Sequence, residues 1–182
     1  MNDSNSATAF AALAADQFDA HNRFHGGQFG LTADLARGSV YLEMTGKIGI
    51  GQSIGVVKIS GQGAAITPSN AQPLQYYGSG VLGQSTNSGR FVKSSFAVLP
   101  EAIVKVGYKF KDYSRIYLGY NFLYLSDAVH SGDQVDRIID PSQIPLFSRP
   151  GGPNGTSDHP TPLLTRSDFW AQGLMLGLEY RY

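Results

Sequence analysis

Two glycine-rich segments of the sequence match the residue patterns of known functional motifs, one catalytic and one that binds dinucleotides. Residues 51–55 read Gly-Gln-Ser-Ile-Gly, as in the nucleophile elbow of α/β-hydrolases, and residues 78–83 read Gly-Ser-Gly-Val-Leu-Gly, as in dinucleotide-binding folds. The elbow needs a strand, a sharp turn and then a helix, but residues 56–59 predict that the strand continues. The dinucleotide motif must open a helix, but residues 84–89 are typical of a loop. We therefore expect no catalytic residue and no enzymatic activity.

Histidine and aspartate side chains are the remaining candidates for metal binding. The histidines lack the helical spacing of zinc sites, so only converging loops would bring them together; they are His21, His25, His130 and His159. The aspartates of one predicted loop lack the spacing of an EF-hand, and they either solvate the loop, pair with Arg137 or bind calcium; they are Asp127, Asp133, Asp136 and Asp140. We predict no metal site and no cofactor.

The composition indicates a β-rich chain of one domain. The 182 residues have no net charge, which argues against nucleic acid as a partner. There is no cysteine, so disulfides and thiolate chemistry are excluded. Charged residues are 15%, against about 25% in typical globular proteins. No run of residues is long and apolar enough for a membrane helix. Together with this absence, the 22 glycines and the 12% aromatic residues indicate a β-rich protein.

Alternation of apolar and polar residues with a period of two is the main structural signal. It predicts about five strands, near residues 24–36, 40–52, 98–110, 115–126 and 169–182. Tight turns at 36–39 and 111–114 alternate with long connections near 60–95 and 126–167, as in outer-membrane barrels. We predict an all-β fold, the C-terminal portion of an antiparallel transmembrane β-barrel over residues 22–182. Residues 1–21 are expected to form a lead-in that is a short helix or disordered.

The two faces of these strands differ in chemistry. A soluble sandwich or lipocalin-like barrel also alternates, but its outward face should be polar. Here the charged face is interpreted as the lumen, and its predicted residues are Glu43, Lys47, Glu101, Lys105, Lys109, Arg115, Asn121, Glu179 and Arg181. The other face ends in aromatic residues, as in a membrane girdle; these are Tyr108, Phe110, Tyr124, Trp170, Tyr180 and Tyr182.

Two hairpin registers follow from the predicted turns. If Leu35 pairs with Val40, Thr32 faces Glu43. If Phe110 pairs with Ile116, two small residues, Gly107 and Gly119, face each other and leave room for long neighbours.

Several ordered blocks of the sequence resemble one family. They are Phe-His-Gly-Gly-Gln-Phe-Gly at 24–30, Pro-Glu at 100–101, Gly-Tyr-Asn-Phe-Leu-Tyr-Leu-Ser at 119–126, Gly-Asp-Gln-Val-Asp at 132–136 and Asp-Phe-Trp-Ala-Gln-Gly at 168–173. Together with the ending Gly-Leu-Glu-Tyr-Arg-Tyr they resemble the β-barrel porin-7 family of outer-membrane proteins, over about residues 16–182. The ending also resembles the signature by which assembly machinery recognises outer-membrane proteins.

The resemblance implies a location in the bacterial outer membrane and no catalytic residues. Family members are typically longer, and single-chain barrels have at least about eight strands. We therefore expect this chain to be a fragment that joins missing N-terminal strands, or else to self-associate. Its other expected partners are membrane lipid and the barrel-assembly machinery, which binds the C-terminal strand. The predicted function is a porin-like passive channel or structural barrel. The alternative is a surface binding module that uses the external loops.

Overall fold

A computed structural model of the protein describes residues 11–66, 75–111, 113–144 and 157–180. The described strands are β1 (Ala11–Arg37), β2 (Val40–Ile66), β3 (Gln75–Tyr77), β4 (Gly89–Lys111), β5 (Ser114–Ala128) and β6 (Ser167–Tyr180). Two short 3-10 helices, Gly132–Gln134 and Pro141–Gln143, lie between β5 and β6. Within the described ranges, no helix is both long and apolar enough to span a membrane.

The strands form one sheet in the order β1-β2-β4-β5-β6, with β3 paired to β2. The pairs β2–β3, β4–β5 and β5–β6 are antiparallel. The all-β, antiparallel fold predicted from the alternation is confirmed. All five predicted strands are present, and most are longer than the alternation indicated.

The prediction of a helical or disordered lead-in is wrong for residues 11–21, because these residues belong to β1. Alanine-rich sequence favours helix only weakly, and tertiary pairing commonly overrides that preference. Phe18 and Ala20 pack against buried residues of the chain, which gives this segment a reason to be extended. Residues 1–10 lie outside the described part. The predicted loop near 60–95 is likewise shorter, because β2 continues to Ile66 and β4 begins at Gly89.

The chain divides into two compact units. The loop unit comprises Met1–His21, Val56–Lys93 and Val129–Thr165, and the sheet unit comprises Asn22–Gly55, Ser94–Ala128 and Arg166–Tyr182. Each has a small apolar core. In the loop unit, Phe18, Ala20, Phe91 and Leu164 pack on Val57, Ile59 and Val129. In the sheet unit, Phe24 and Leu99 pack on Ala97, Leu125 and Ala128.

The hairpin registers differ from the expected ones by two residues. Thr32 Oγ1 lies 3.0 Å from Thr45 Oγ1, so Thr32 faces Thr45 rather than Glu43. The cause is the turn, which occupies only Gly38 and Ser39, with Gly38 at a φ of 63°.

The β4–β5 hairpin shows the same displacement. Gly107 pairs with Tyr117, and Gly119 pairs with Lys105, so the predicted glycine pair is wrong. A bulge between Lys109 and Lys111 precedes the turn and sets this register. A shift of two residues keeps every side chain on its face.

Candidate functional site

One side of the sheet unit carries the predicted charged residues, and we call it the charged face. It is defined by Glu43, Lys47, Glu101, Lys105, Lys109, Arg115, Asn121 and Glu179. Successive side chains of a strand point to opposite sides, which places these odd-numbered residues together. Arg181, predicted for the same face, lies outside the described residues.

Ion pairs join the strands of the charged face. Lys105 Nζ donates to Glu43 Oε1 at 2.7 Å, and Lys47 Nζ donates to both Glu101 carboxylate oxygens at 3.3 Å. All four of these side chains are about one-quarter to one-third exposed. Both pairs link β2 to β4. Because water still reaches these side chains and screens their charges, each pair is worth at most about 1 kcal/mol.

A third pair joins β5 to β6 near the two short turns. Arg115 Nε donates to Glu179 Oε2 at 2.6 Å, and a second guanidinium nitrogen contacts the same oxygen. The two residues are direct cross-strand partners. Charge-assisted contacts of this kind are short and directional.

Tyrosine rings on the charged face lie over glycines of neighbouring strands. Tyr41 covers Gly107, and Tyr117 covers Gly177, so closely that a Cβ at either glycine would overlap the ring. Cations lie against these rings: Lys105 Nζ is 5.5 Å from the centroid of Tyr117. Glycine is therefore required at these positions to admit a phenol ring, a role that the alternation of residue types did not reveal.

The opposite side of the sheet unit, which we call the apolar face, is exposed and carries aliphatic and aromatic side chains. Leu174, Leu176 and Leu178 are 72–79% exposed. The predicted girdle residues Tyr108, Phe110, Trp170 and Tyr180 are 46–64% exposed on this side, and Tyr124 pairs with Trp170. Tyr182 lies outside the described residues. Tyr108 packs edge-on against Phe110, with 5.3 Å between centroids.

Arg166 organises the end of the sheet unit where β6 begins, and no pattern of residue types indicated this role. Its Nη1 lies 3.1 Å from Asp127 Oδ2, donates to the Asp127 carbonyl oxygen at 2.8 Å and also donates to Ser95 Oγ. Asp127 adopts a positive φ of 61°, which favours residues able to accept a left-handed conformation. Only the fold brings Ser95 of β4 and Asp127 of β5 to Arg166, which directly precedes β6.

The glycine-rich segment at 78–83 forms a carboxylate-binding turn in the loop unit. Asp16 of β1 accepts hydrogen bonds from the backbone amides of Val81, Leu82 and Gly83, at 2.7–3.3 Å. Converging amides of this kind form an anion-binding concavity. The segment is a loop, as the sequence predicted, and no helix follows it.

A polar core stabilises the same loop. Gln84 and Asn87 are fully buried. The Gln84 amide donates to Asn87 Oδ1 at 2.8 Å, Gln84 Nε2 donates to the carbonyl of Val81, and Asn87 Nδ2 donates to that of Leu82. Buried amides need such partners, so the loop has a defined conformation of its own.

Asp136 is the buried carboxylate of the second long loop. It accepts hydrogen bonds from the amides of Ile138 and Thr161, and its Oδ2 lies 2.7 Å from His159 Nδ1. Burial by itself raises the pKa of Asp136, but these hydrogen bonds outweigh it and lower the pKa to about 2. The carboxylate therefore stays ionised and ties residues 157–161 to residues 136–138.

The other candidates for chemistry lie apart from one another. Asp140 caps the second 3-10 helix through Ser142, and Asp127 pairs with Arg166. Among the described residues, no group of three or more histidine, aspartate or glutamate side chains could hold a metal ion. The serine of the segment at 51–55, Ser53, is fully buried within β2, and no helix follows it.

A family model described as Putative beta barrel porin-7 matches residues 2–182 of the chain. A search of curated proteins and a search of solved structures each found no match.

Proposed function

The chain belongs to the Putative beta barrel porin-7 family, and from that premise we propose that it is an outer-membrane β-barrel protein. Its function is that of a porin-like passive channel or a structural barrel. The observation that carries the proposal is the separation of the two faces of the sheet unit. Ion-paired side chains occupy one face, and exposed aliphatic and aromatic side chains occupy the other.

The apolar face supports contact with lipid. Soluble monomers rarely expose large contiguous apolar patches, yet leucines of β6 are more than 70% exposed. Val106 and Leu118, paired across β4 and β5, extend the same patch and are 52% and 58% exposed. Contact with lipid would remove the apolar face from water, and it requires no second protein.

The spacing of aromatic side chains supports the same placement. Trp170 and Tyr180 are ten residues apart along β6. Ten residues of strand, tilted as in membrane barrels, span about 25 Å, which is close to the height of the apolar band of such barrels. Aromatic residues at both ends of the apolar stretch are typical of membrane interfaces.

The charged face supports a polar interior. Lysine on the lipid side near the midplane costs about 2–4 kcal/mol, whereas the lumen tolerates it. Glu43, Glu101 and Glu179 each have a basic partner on a neighbouring strand. Paired charges of this kind suit either a water-filled channel with a weak field or a narrow barrel that they hold closed.

Conductance across a planar lipid bilayer tests the proposal. Stepwise conductance after insertion of the protein supports the channel. Insertion without conductance favours the structural barrel. Failure to insert into lipid, judged by co-flotation of the folded protein with vesicles, would contradict the placement in a membrane.

A binding module at the membrane surface is the second candidate, and the organisation of the loop unit favours it. Long loops in compact domains are usually either functional or disordered, so a long loop with a defined conformation indicates a function. Here Asp16, Gln84 and Asp136 each organise a loop through several hydrogen bonds. A silent bilayer together with retention of a solute by the folded protein would favour this candidate. Neither candidate is an enzyme.

We further propose the partners that this placement entails. Lipid covers the apolar face, and the assembly machinery engages β6. Further strands of a longer protein, or copies of this chain, pair with β1 and β6, which are the two ends of the strand order.

A further inference from the structure

Two basic residues face each other directly on the charged face. Lys109 of β4 is the cross-strand partner of Arg115 of β5. Directly opposed residues have Cβ atoms about 5 Å apart, and like charges in that position destabilise a sheet. A fold that keeps such a pair needs a negative charge nearby.

The anionic groups in the described part of the chain balance only one of the two cations. Glu179 pairs with Arg115 through two guanidinium nitrogens. Glu43 is engaged by Lys105. No described carboxylate forms an ion pair with Lys109. Among the described residues, one positive charge is therefore in excess at this end of the charged face.

A single phenol ring holds both cations in place. Lys109 Nζ lies 5.8 Å from the centroid of Tyr41, and Arg115 Cζ lies 5.3 Å from the same centroid. Tyr41 is itself only 7% exposed and is fixed against Gly107. Cations within about 6 Å of an aromatic centroid are attracted to the ring. The two basic groups thus lie around one rigid ring.

We propose that Lys109 and Arg115, gathered around Tyr41, bind the oxyanion of a small solute, a phosphate or carboxylate group. Lysine and arginine donate charge-assisted hydrogen bonds to such groups. Arg115 keeps donors beyond those that contact Glu179, and Lys109 has three. The site rests on the proposed function, because it defines the class of solute that a channel with this wall would favour.

Protection of Lys109 from chemical modification tests binding without any need for conductance. The folded protein in detergent is acylated with and without millimolar inorganic phosphate at matched ionic strength, and each lysine is quantified by mass spectrometry. We expect phosphate to slow acylation of Lys109 by about threefold or more, as charge-assisted contacts predict. Lys58, which is exposed in the loop unit, is the internal reference. Equal protection at Lys58, or none at Lys109, overturns the proposal.

Phosphate and carboxylate solutes are distinguished by repeating the measurement with acetate. Stronger protection by one of them identifies the preferred oxyanion. Where the protein conducts, Lys109→Gln should raise the ratio of cation to anion permeability by about twofold, whereas Lys58→Gln should leave it unchanged. Protection of Lys109 without conductance contradicts the channel but keeps the site. Conductance with no change on Lys109→Gln and no protection contradicts the site alone.

Discussion

Tyr41 on β2 lies over Gly107 on β4, and its ring occupies the space that a Cβ at residue 107 would need. Because Gly107 has no side chain, it leaves space for the Tyr41 ring from the neighbouring strand. Because the ring also contacts Lys109 and Arg115, this close approach fixes the cations around it.

Gly107→Ala should destabilise the fold. The added methyl group overlaps the Tyr41 ring, and overpacking of this kind costs about 1–3 kcal/mol. The free energy of unfolding, measured by urea titration of the protein in detergent, should fall by that amount. Gly46→Ala on β2 is the matched control, because an added Cβ there meets no heavy atom within 4 Å. Equal losses for both variants would show that Tyr41 does not fill the space.

Leu118→Arg should impair assembly in membranes. Leu118 is 58% exposed on the apolar face, and an arginine facing lipid near the midplane costs about 2–4 kcal/mol. The fraction of heat-modifiable, membrane-extracted protein should fall sharply. Asn121→Arg, three residues away on the charged face, should be mild. If only Asn121→Arg fails to assemble, the two faces have been assigned the wrong way round.

Asp16→Ala should loosen the glycine-rich loop without unfolding the sheet. The amides of Val81, Leu82 and Gly83 lose their acceptor, and an unsatisfied buried donor costs about 1–3 kcal/mol. Hydrogen exchange at these three amides should accelerate about tenfold or more, since 1.4 kcal/mol corresponds to a factor of ten. Asp19→Ala removes an exposed carboxylate of the same strand and should leave the exchange rates unchanged.

Asp136 should make the second loop sensitive to acid. Its pKa is about 2 in the folded chain, below the ordinary value of 3.8, so its contribution to stability is complete above pH 3.8. The contribution is lost as the pH falls from 3.8 through 2. Hydrogen exchange of the amides of Ile138 and Thr161, corrected for intrinsic rates, should report this loss.

Asp136→Asn tests whether this carboxylate is responsible. The variant should be less stable near neutral pH, by about 1–3 kcal/mol, and its protection of Ile138 and Thr161 should change little between pH 4 and pH 2. An unaltered acid response would assign the effect to another group.

The sequence predicts which residues of a strand lie on the same face of the sheet, because successive side chains point to opposite faces. The alternation predicts that Glu43, Lys105, Arg115 and Glu179 share a face, and the structure pairs Lys105 with Glu43 and Arg115 with Glu179. The sequence did not predict the exact register of the two hairpins. Whether a turn uses two or four residues depends on backbone details, such as the positive φ of Gly38 and the bulge after Lys109.

The loop contacts were also beyond the sequence. Asp16 and Gly83 are far apart in the chain, and nothing in their types or spacing indicates that one binds the other. Arg166 is a comparable case, since its partners Ser95 and Asp127 come from β4 and β5. Such contacts depend on tertiary placement and carry no periodic signal. The N-terminal strand was missed for a related reason, since the alanines of residues 11–15 resemble helix until their pairing is known.

The ion pairs between β2 and β4 bear on how two strands without a tight turn find their alignment. Glu43 and Lys47 meet Lys105 and Glu101, respectively. Sliding one strand by two residues leaves both glutamates without a basic partner across the pair. Sliding it by four places either the two glutamates or two lysines opposite each other. The order of charges along the two strands thus specifies their register. Because this specification does not depend on the connection, the chain between β2 and β4 can change in length without changing how the strands align.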